Sequence, residues 1–376
     1  MFLFMFVEGV SEIMESSKLD PFLVRTYEQG DEQEMNVLFN EVFGKRRDLE
    51  MWKWRYFDNP SKWKTVRILA VVAELQHRIV GQYCAIPRLF KYKDSYAKTA
   101  QGLDNLIAPD HRSLKVQFEM SQYVDKIVAR EGISVGFGFP NEVAYLVGKT
   151  FLDYRDLAEI SVLFKRLNFV GSLKVRLQRL PNIIYKMTSF LGAYFFRIET
   201  FFKQIKHVKG LEIVPLERFT KDFDALWQKV KDKYNIIGVR DERYLNWRYV
   251  DRPRFSYTIF CARKEELEGF IILRTDSLEH HRVGYIVDFL YTKREIFKAL
   301  LMHAYNYFIS MRTDHVLCWG IEGREEYNIL YENTFRPHHV SEPIKMVYKI
   351  YDKTIDEFFL CNPRNWFITY GDSEGI

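Results

Sequence analysis

Two carboxylates and a group of cations at one helix start are the residues whose types and spacing could do chemistry. Asp104 lies in the run 100–107, which reads as a strand, and Glu142 opens the run 142–150, which reads as a helix. Either carboxylate could take a proton from a reacting group, directly or through a water. Arg112, Ser113 and Lys115 open the amphipathic stretch 115–130. Main-chain N–H groups at a helix start favour anions, and the two cations add to that field. A plainer assignment stands beside each: Asp104 as a turn or edge carboxylate, Glu142 as a charge complementing the helix dipole, and 112–115 as an exposed basic helix start.

Other chemistries have no foothold. The chain contains no G-x-S-x-G elbow, no H-E-x-x-H helix and no G-x-x-x-x-G-K-[ST] loop. His280-His281 and His338-His339 are adjacent pairs whose side chains diverge, so no metal is expected there. Cys84, Cys261, Cys318 and Cys361 are far apart and form no C-x-x-C pair, which excludes a structural zinc and fits a reducing, cytoplasmic compartment. The apolar start 1–7 is short, lacks a basic flank and is followed by Glu8, Glu12 and Glu15, unlike a signal peptide. The longest uncharged apolar candidate, 187–196, is about half of a membrane span.

The elements that must position these residues come in two sets. Trp54-Arg55-Tyr56-Phe57-Asp58-Asn59-Pro60 recurs as Trp247-Arg248-Tyr249-Val250-Asp251-Arg252-Pro253, sharing W-R-Y-x-D-x-P. Each copy follows a strand and a helix (23–27 and 31–43; 211–216 and 221–234) and precedes a hairpin (68–74 with 79–86; 257–263 with 267–273). A strand (100–107; 284–291), a long amphipathic helix (115–130; 293–311), a buried strand (134–139; 315–321) and a final helix (142–150; 325–334) complete each set. With 376 residues, 47% hydrophobic and 28% charged, the chain is long enough for two ordinary domains, and 31 Phe, 23 Tyr and 7 Trp supply large buried areas.

This order resembles the GCN5-related acyltransferase (GNAT) superfamily, whose final helix commonly reads N-x-x-A-x-x-x-Y followed by Gly-Phe. The first copy has Asn141-Glu142-Val143-Ala144, then Gly148 at the tyrosine position and Phe151; the second has Tyr331 at the tyrosine position and Phe335, with Arg324 in place of the asparagine. The segments 136–141 and 366–372 are similar to a tandem-domain branch of N-acyltransferases. The resemblance covers about four fifths of the chain and implies an α/β (α+β) fold of two tandem GNAT-like domains, each a mixed, mostly antiparallel sheet flanked by helices. The expected boundaries are 20–163, a linker at 164–210, and 211–376.

The resemblance further implies an acyl-CoA-dependent N-acyltransferase acting on a primary amine of a sugar, amino acid or envelope precursor. Acetyl-CoA or another acyl-CoA would be co-substrate, with Asp104 or Glu142 taking the amine proton and Tyr331 as the matched general acid. The donor would lie on the first domain between splayed strands ending near Ile107 and Phe139, held by Ile107, Arg112, Ser113, Lys115 and Asn141. The family's phosphate loop, R/Q-x-x-G-x-G/A, departs here: Arg112 is kept, but Lys115 and Gln117 stand where glycines belong. The matching stretch of the second copy, 291–297, has no glycine, so that domain is expected to bind acceptor or serve as scaffold. Two rivals stay open: a non-catalytic interaction protein with this fold, and a Fem-like aminoacyltransferase drawing on aminoacyl-tRNA.

The stretch 164–210 carries a net charge of +9 against +5 for the whole chain. Helices are expected near 173–180 and 183–206. Three readings compete: a connection packed on the domains with its lysines solvated, a helix lying peripherally on the inner membrane surface, and a nucleic-acid contact, which basic residues alone support least. A small amine acceptor is the partner the resemblance implies.

Overall fold

The computed structural model describes residues 22–44, 46–66, 68–167, 208–278, 281–338 and 343–375. The apolar start 1–7 and the linker helices expected at 173–180 and 183–206 lie outside the described residues, as do His280 and His339.

Capping residues and alternating apolar runs set the elements. The first stretch of chain forms β1 (Leu23–Thr26), α1 (Asp31–Phe43), α2 (Leu49–Tyr56), β2 (Leu69–Leu75), β3 (Arg78–Tyr92) and β4 (Ser95–Ile107). After these come α3 (Leu114–Glu131), β5 (Val135–Gly138), α4 (Glu142–Phe151) and β6 (Arg155–Arg166). The next stretch gives β7 (Glu212–Leu216), α5 (Asp222–Val230), β8 (Ile236–Gly238), α6 (Glu242–Leu245), β9 (Thr258–Arg263), β10 (Leu267–Leu278) and β11 (His281–Tyr291). The chain continues through α7 (Arg294–Ser310), β12 (His315–Gly320), α8 (Glu325–Glu332), β13 (Arg336–Pro337), β14 (Ile344–Ile350), α9 (Glu357–Leu360) and β15 (Trp366–Phe367). The order expected from sequence is present in both sets, and β6 and β14 are additional to it. Gln76 and His77, both at positive φ, make the two-residue turn between β2 and β3 that a tight hairpin requires.

The chain divides into two units, neither of them one continuous stretch. The first comprises 1–158, 251–254 and 345–361, and the second 159–250, 255–344 and 362–376. The first sheet runs β1-β2-β3-β4-β5-β14 and the second β6-β12-β11-β10-β9-β7. Each is antiparallel except where its long helix crosses over: β4 with β5 and β11 with β12 are parallel.

In the first unit α3 lays Val116, Met120, Val124, Ile127 and Val128 on the sheet, against Ala73, Tyr83, Ala85 and Ala100. The stripe has the i, i+4 spacing of one helical face, and burying each such side chain contributes about 1.5–3 kcal/mol. The helix ends at Gly132 in the left-handed conformation, as a C-cap requires. In the second unit α7 buries Ile296, Phe297, Leu300, Leu301, Ala304 and Phe308 in the same way.

Candidate functional site

In the first unit β4 and β5 are paired only from Thr99 with Val135 to Gln101 with Phe137. Past Gln101, β4 continues to Ile107 bonded to β3 alone, so the two parallel strands part. The cause is local. The β3–β4 register shifts between Gln82 and Cys84, and Asp104 in the bulge takes φ +48, a left-handed conformation costing a non-glycine residue about 1–2 kcal/mol.

A buried ion cluster holds that bulge. Arg47 pairs with Asp104 Oδ2, Arg55 Nη1 lies 3.2 Å from Oδ1, and the Tyr56 hydroxyl donates to Oδ2 at 2.6 Å. Arg55 and Tyr56 come from the last turn of α2, and Arg47 immediately precedes its N-cap, Asp48, whose side chain accepts from Met51 N. The first copy of the repeated motif is therefore an anchor for β4. Burial alone would raise the Asp104 carboxyl, but the Arg47 and Arg55 charges and the Tyr56 hydrogen bond hold it below the usual carboxylate value. Asp104, read from sequence as a proton acceptor, is instead a shaping residue: a carboxylate kept ionised by two guanidinium groups has little tendency to take a proton.

Around the gap the other expected residues fall as follows. Ile107 ends β4 opposite Gly81, with its side chain in the core under α3. Ser113 caps α3, its hydroxyl accepting from Lys115 N at 3.2 Å, while Arg112 and Lys115 are exposed and the first turn carries no acid. Asn141 caps α4, Oδ1 accepting from Ala144 N at 2.9 Å, and Glu142 is exposed beside it. Both helices start just beyond the ends of the parted strands. Asn105 Oδ1, one residue past the bulge, is buried without a hydrogen-bond partner.

Sequence reasoning missed the hydroxyls at the vertex. A Cβ on Gly102, where β4 leaves β5, would lie 3.5 Å from the Tyr83 hydroxyl and 3.8 Å from that of Tyr154. Those two hydroxyls are 2.8 Å apart. Gly148, at the tyrosine position of the motif, lets the Tyr154 side chain pack against α4, since a Cβ there would touch it at 3.6 Å. The available signal was this missing tyrosine with another six residues on. Burial pushes the Tyr83 phenol well above its usual value and also raises Tyr154.

The second unit repeats the plan. β11 and β12 pair from Val283 with His315 to Ile286 with Cys318, and a bulge in the β10–β11 register follows at once. Asp288 there is fully buried, 3.2 Å from Arg240 Nε, and accepts from the Tyr249 hydroxyl at 2.7 Å. Arg240 and Tyr249 stand in their motif as Arg47 and Tyr56 stand in theirs. This gap, however, is filled by the chain's own C-terminal segment. The Tyr370 ring centres 4.5 Å from Trp319 on β12 and 5.7 Å from Tyr285 on β11, and Phe367 lies 5.6 Å from Phe289. Thr369 donates to Asp288 at 3.0 Å and Arg240 Nη2 to Asp372 at 2.7 Å. A side chain on Gly371 would run into the Tyr249 hydroxyl and Asp288.

Tyr331, on α8 of the second unit, is 46% exposed, its ring stacked on Tyr327 with the Arg336 guanidinium 4.0 Å away. The described residues of the first unit bring Glu142, Asn141, Arg112, Ser113 and Lys115 to one end of β4 and β5; Tyr331 is not among them. Among the described residues no group of three or more His, Cys, Asp or Glu is arranged to hold a metal, and no helix is long and apolar enough to cross a membrane.

A mixed, mostly antiparallel sheet parted beside a bulge, with a crossover helix starting at the opening, defines a GNAT-type fold. Residues 23–149 match the acetyltransferase (GNAT) domain family. The fold is shared with a GCN5-related N-acetyltransferase from Anabaena variabilis (TM-score 0.62, 12% identity, covering 88% of this chain and 73% of that one). It is shared as well with a conserved protein of unknown function, a probable N-acyltransferase, from Enterococcus faecalis (TM-score 0.63, 12% identity, 88% and 73%). A third such structure is a GCN5-related N-acetyltransferase from Kribbella flavida (TM-score 0.58, 8% identity, 88% and 71%). No curated protein matches the sequence. Residues 23–149 are thus a GNAT domain, and the family match supports acyl transfer as the general activity.

Proposed function

We propose that this protein is an acyl-CoA-dependent N-acyltransferase whose donor site is the β4–β5 gap of the first unit, and that the second unit is a non-catalytic copy. The observation that carries this reading is the contrast between the gaps: the second is filled by residues 366–372, while among the described residues β4 has no strand partner on the β5 side past Gln101.

The first gap fits a CoA ester in its own residues. The acid-free first turn of α3 and the exposed Arg112 and Lys115 suit a pyrophosphate, although Lys115 and Gln117 leave less room than glycines would. Asn105 Oδ1 offers an unused acceptor beside the parted strand. A bound acyl-CoA would supply the activated acyl carbon. The chain's part is to hold the thioester against β4, admit a primary amine of a sugar, amino acid or envelope precursor, and carry away its proton. Glu142, exposed at the α4 start, is the acceptor carboxylate nearest this role. Peripheral contact with the inner membrane surface through 164–210 belongs to residues outside those described.

Calorimetry with acetyl-CoA and free CoA tests the reading. Binding at one site per chain, weakened at least about tenfold by Arg112→Ala and by Lys115→Glu, is expected, since a charge-assisted contact contributes about 1.5–3 kcal/mol. Two sites per chain would refute the assignment of the second unit. No binding at millimolar CoA would refute the transferase itself.

A further inference from the structure

The vertex of the first unit's gap connects to solvent through a chain of side chains that the fold alone does not need. Tyr83 and Tyr154 share a hydrogen bond beside Gly102, Tyr154 is hydrogen-bonded in turn to Tyr351, and the Tyr351 hydroxyl donates to Asp125 Oδ1 at 2.9 Å. Asp125 sits on the middle of α3 with 36% of its side chain exposed, and its other oxygen accepts from Lys349 Nζ at 2.7 Å. Lys349 also donates to the Leu152 carbonyl just past α4. The strands, α3 and the residues after α4 thus assemble one continuous path, with one end at the parting of β4 and β5 and the other at the surface.

We propose that Tyr83, Tyr154, Tyr351 and Asp125 form a proton conduit that exports the proton released when the amine is acylated. This rests on the transferase reading above. Acylation of an ammonium group by a thioester forms one C–N bond, breaks one C–S bond and yields amide, thiol and one proton in excess, and that proton must leave a site closed in by β4, β5 and α3. Along the chain each phenol gains a proton from the inner side and gives its own to the outer side. Each tyrosine ends neutral, one N–H bond is lost at the amine, and one O–H bond is gained at Asp125, which passes the proton to water. The observed direction of the Tyr351–Asp125 hydrogen bond is the outward one. Burial keeps all three phenols protonated, so they can pass a proton on without resting as charged phenolates. The second unit has no counterpart, because Tyr370, Trp319 and Tyr285 pack its vertex shut.

The test reads the conduit in the protein without donor. With tyrosine 13C-labelled at Cζ, the hydroxyl hydrogen–deuterium exchange of Tyr83 and Tyr154 is followed by NMR in the full chain and in Asp125→Asn and Tyr351→Phe variants. Both variants keep shape, and thermal melting verifies their folding. If the proton path runs through Asp125, hydroxyl exchange slows at least about tenfold in both variants. The acetyl-CoA-dependent rate, assayed with glucosamine as amine probe, falls by about 10²-fold with the acetyl-CoA affinity unchanged. Unaltered hydroxyl exchange overturns the conduit even if acetyl-CoA binds. A slowed exchange in a chain that binds no acetyl-CoA leaves a conduit with nothing to export and sinks the transferase reading instead.

Discussion

The first unit clamps its bulge with Arg47, Arg55 and Tyr56, all from one loop and helix, and leaves β4 without a strand partner beyond Gln101. The second clamps the equivalent bulge with Arg240 and Tyr249, then adds Thr369 and Asp372 from the far end of the chain and packs Tyr370 between β11 and β12. The clamp parts two parallel strands in both; what else folds against it decides whether the parting is a site or a core. Duplication supplied two openings, and the C-terminal segment converted one of them into stabilising interior.

The sharpest way to break this comparison is Arg240→Met. It leaves Asp288 and Asp372 buried without their counter-charge, and such a loss costs about 3–5 kcal/mol. Urea unfolding should show the second unit melting first by that margin; a loss under about 1 kcal/mol would mean the C-terminal segment is not tied in through this cluster. Asp104→Asn should cost less, about 1–3 kcal/mol, because Tyr56 can still donate to the amide oxygen. It should also weaken acetyl-CoA binding, as the bulge relaxes and the strands close.

The same residue sets a pH dependence. The folded Asp104 carboxyl lies below its unfolded value, so its contribution is complete above about pH 4 and is lost as pH falls further through the folded value. The acid limb of first-unit stability, measured by urea midpoints from pH 5 to 2, should therefore be flatter in Asp104→Asn than in the parent chain. The smallest effect is expected from Gly148→Ala. A Cβ there meets Tyr154 only at ordinary contact distance, so the helix should gain about 0.5–1 kcal/mol without disturbing the tyrosine pair.

Much of this was legible in the residues. The repeated W-R-Y-x-D-x-P and the matching strand and helix patterns announced two copies, and the caps Ser113 and Asn141 sit where helix starts were read. The clamp itself was harder to see. Arg47-Asp48 and Arg240-Asp241 precede the two motifs at equal spacing, but the spans from Trp54 to Asp104 and from Trp247 to Asp288 differ, because the intervening hairpins differ in length. No fixed spacing could therefore pair each aspartate with its arginine. The exchange of β6 and β14 between the units was hidden for a related reason: a strand pattern reports which face is apolar and carries no information on which sheet edge receives it.

By itself the sequence determined the local elements, because periodicity, caps and turn residues act within a few positions of one another. It also determined the fold class, through the order of those elements. Only the tertiary structure decided that Asp104 is an anchor, that three tyrosines distant in sequence line one path, and that residues 366–372 close the second gap. Those outcomes depend on burial and hydrogen bonding between segments up to 264 residues apart, as the bond from Tyr92 to Asp356 illustrates within the first unit. At such separations the energy of a contact is set by the environment the whole chain builds, and neither partner's neighbours in sequence reveal it.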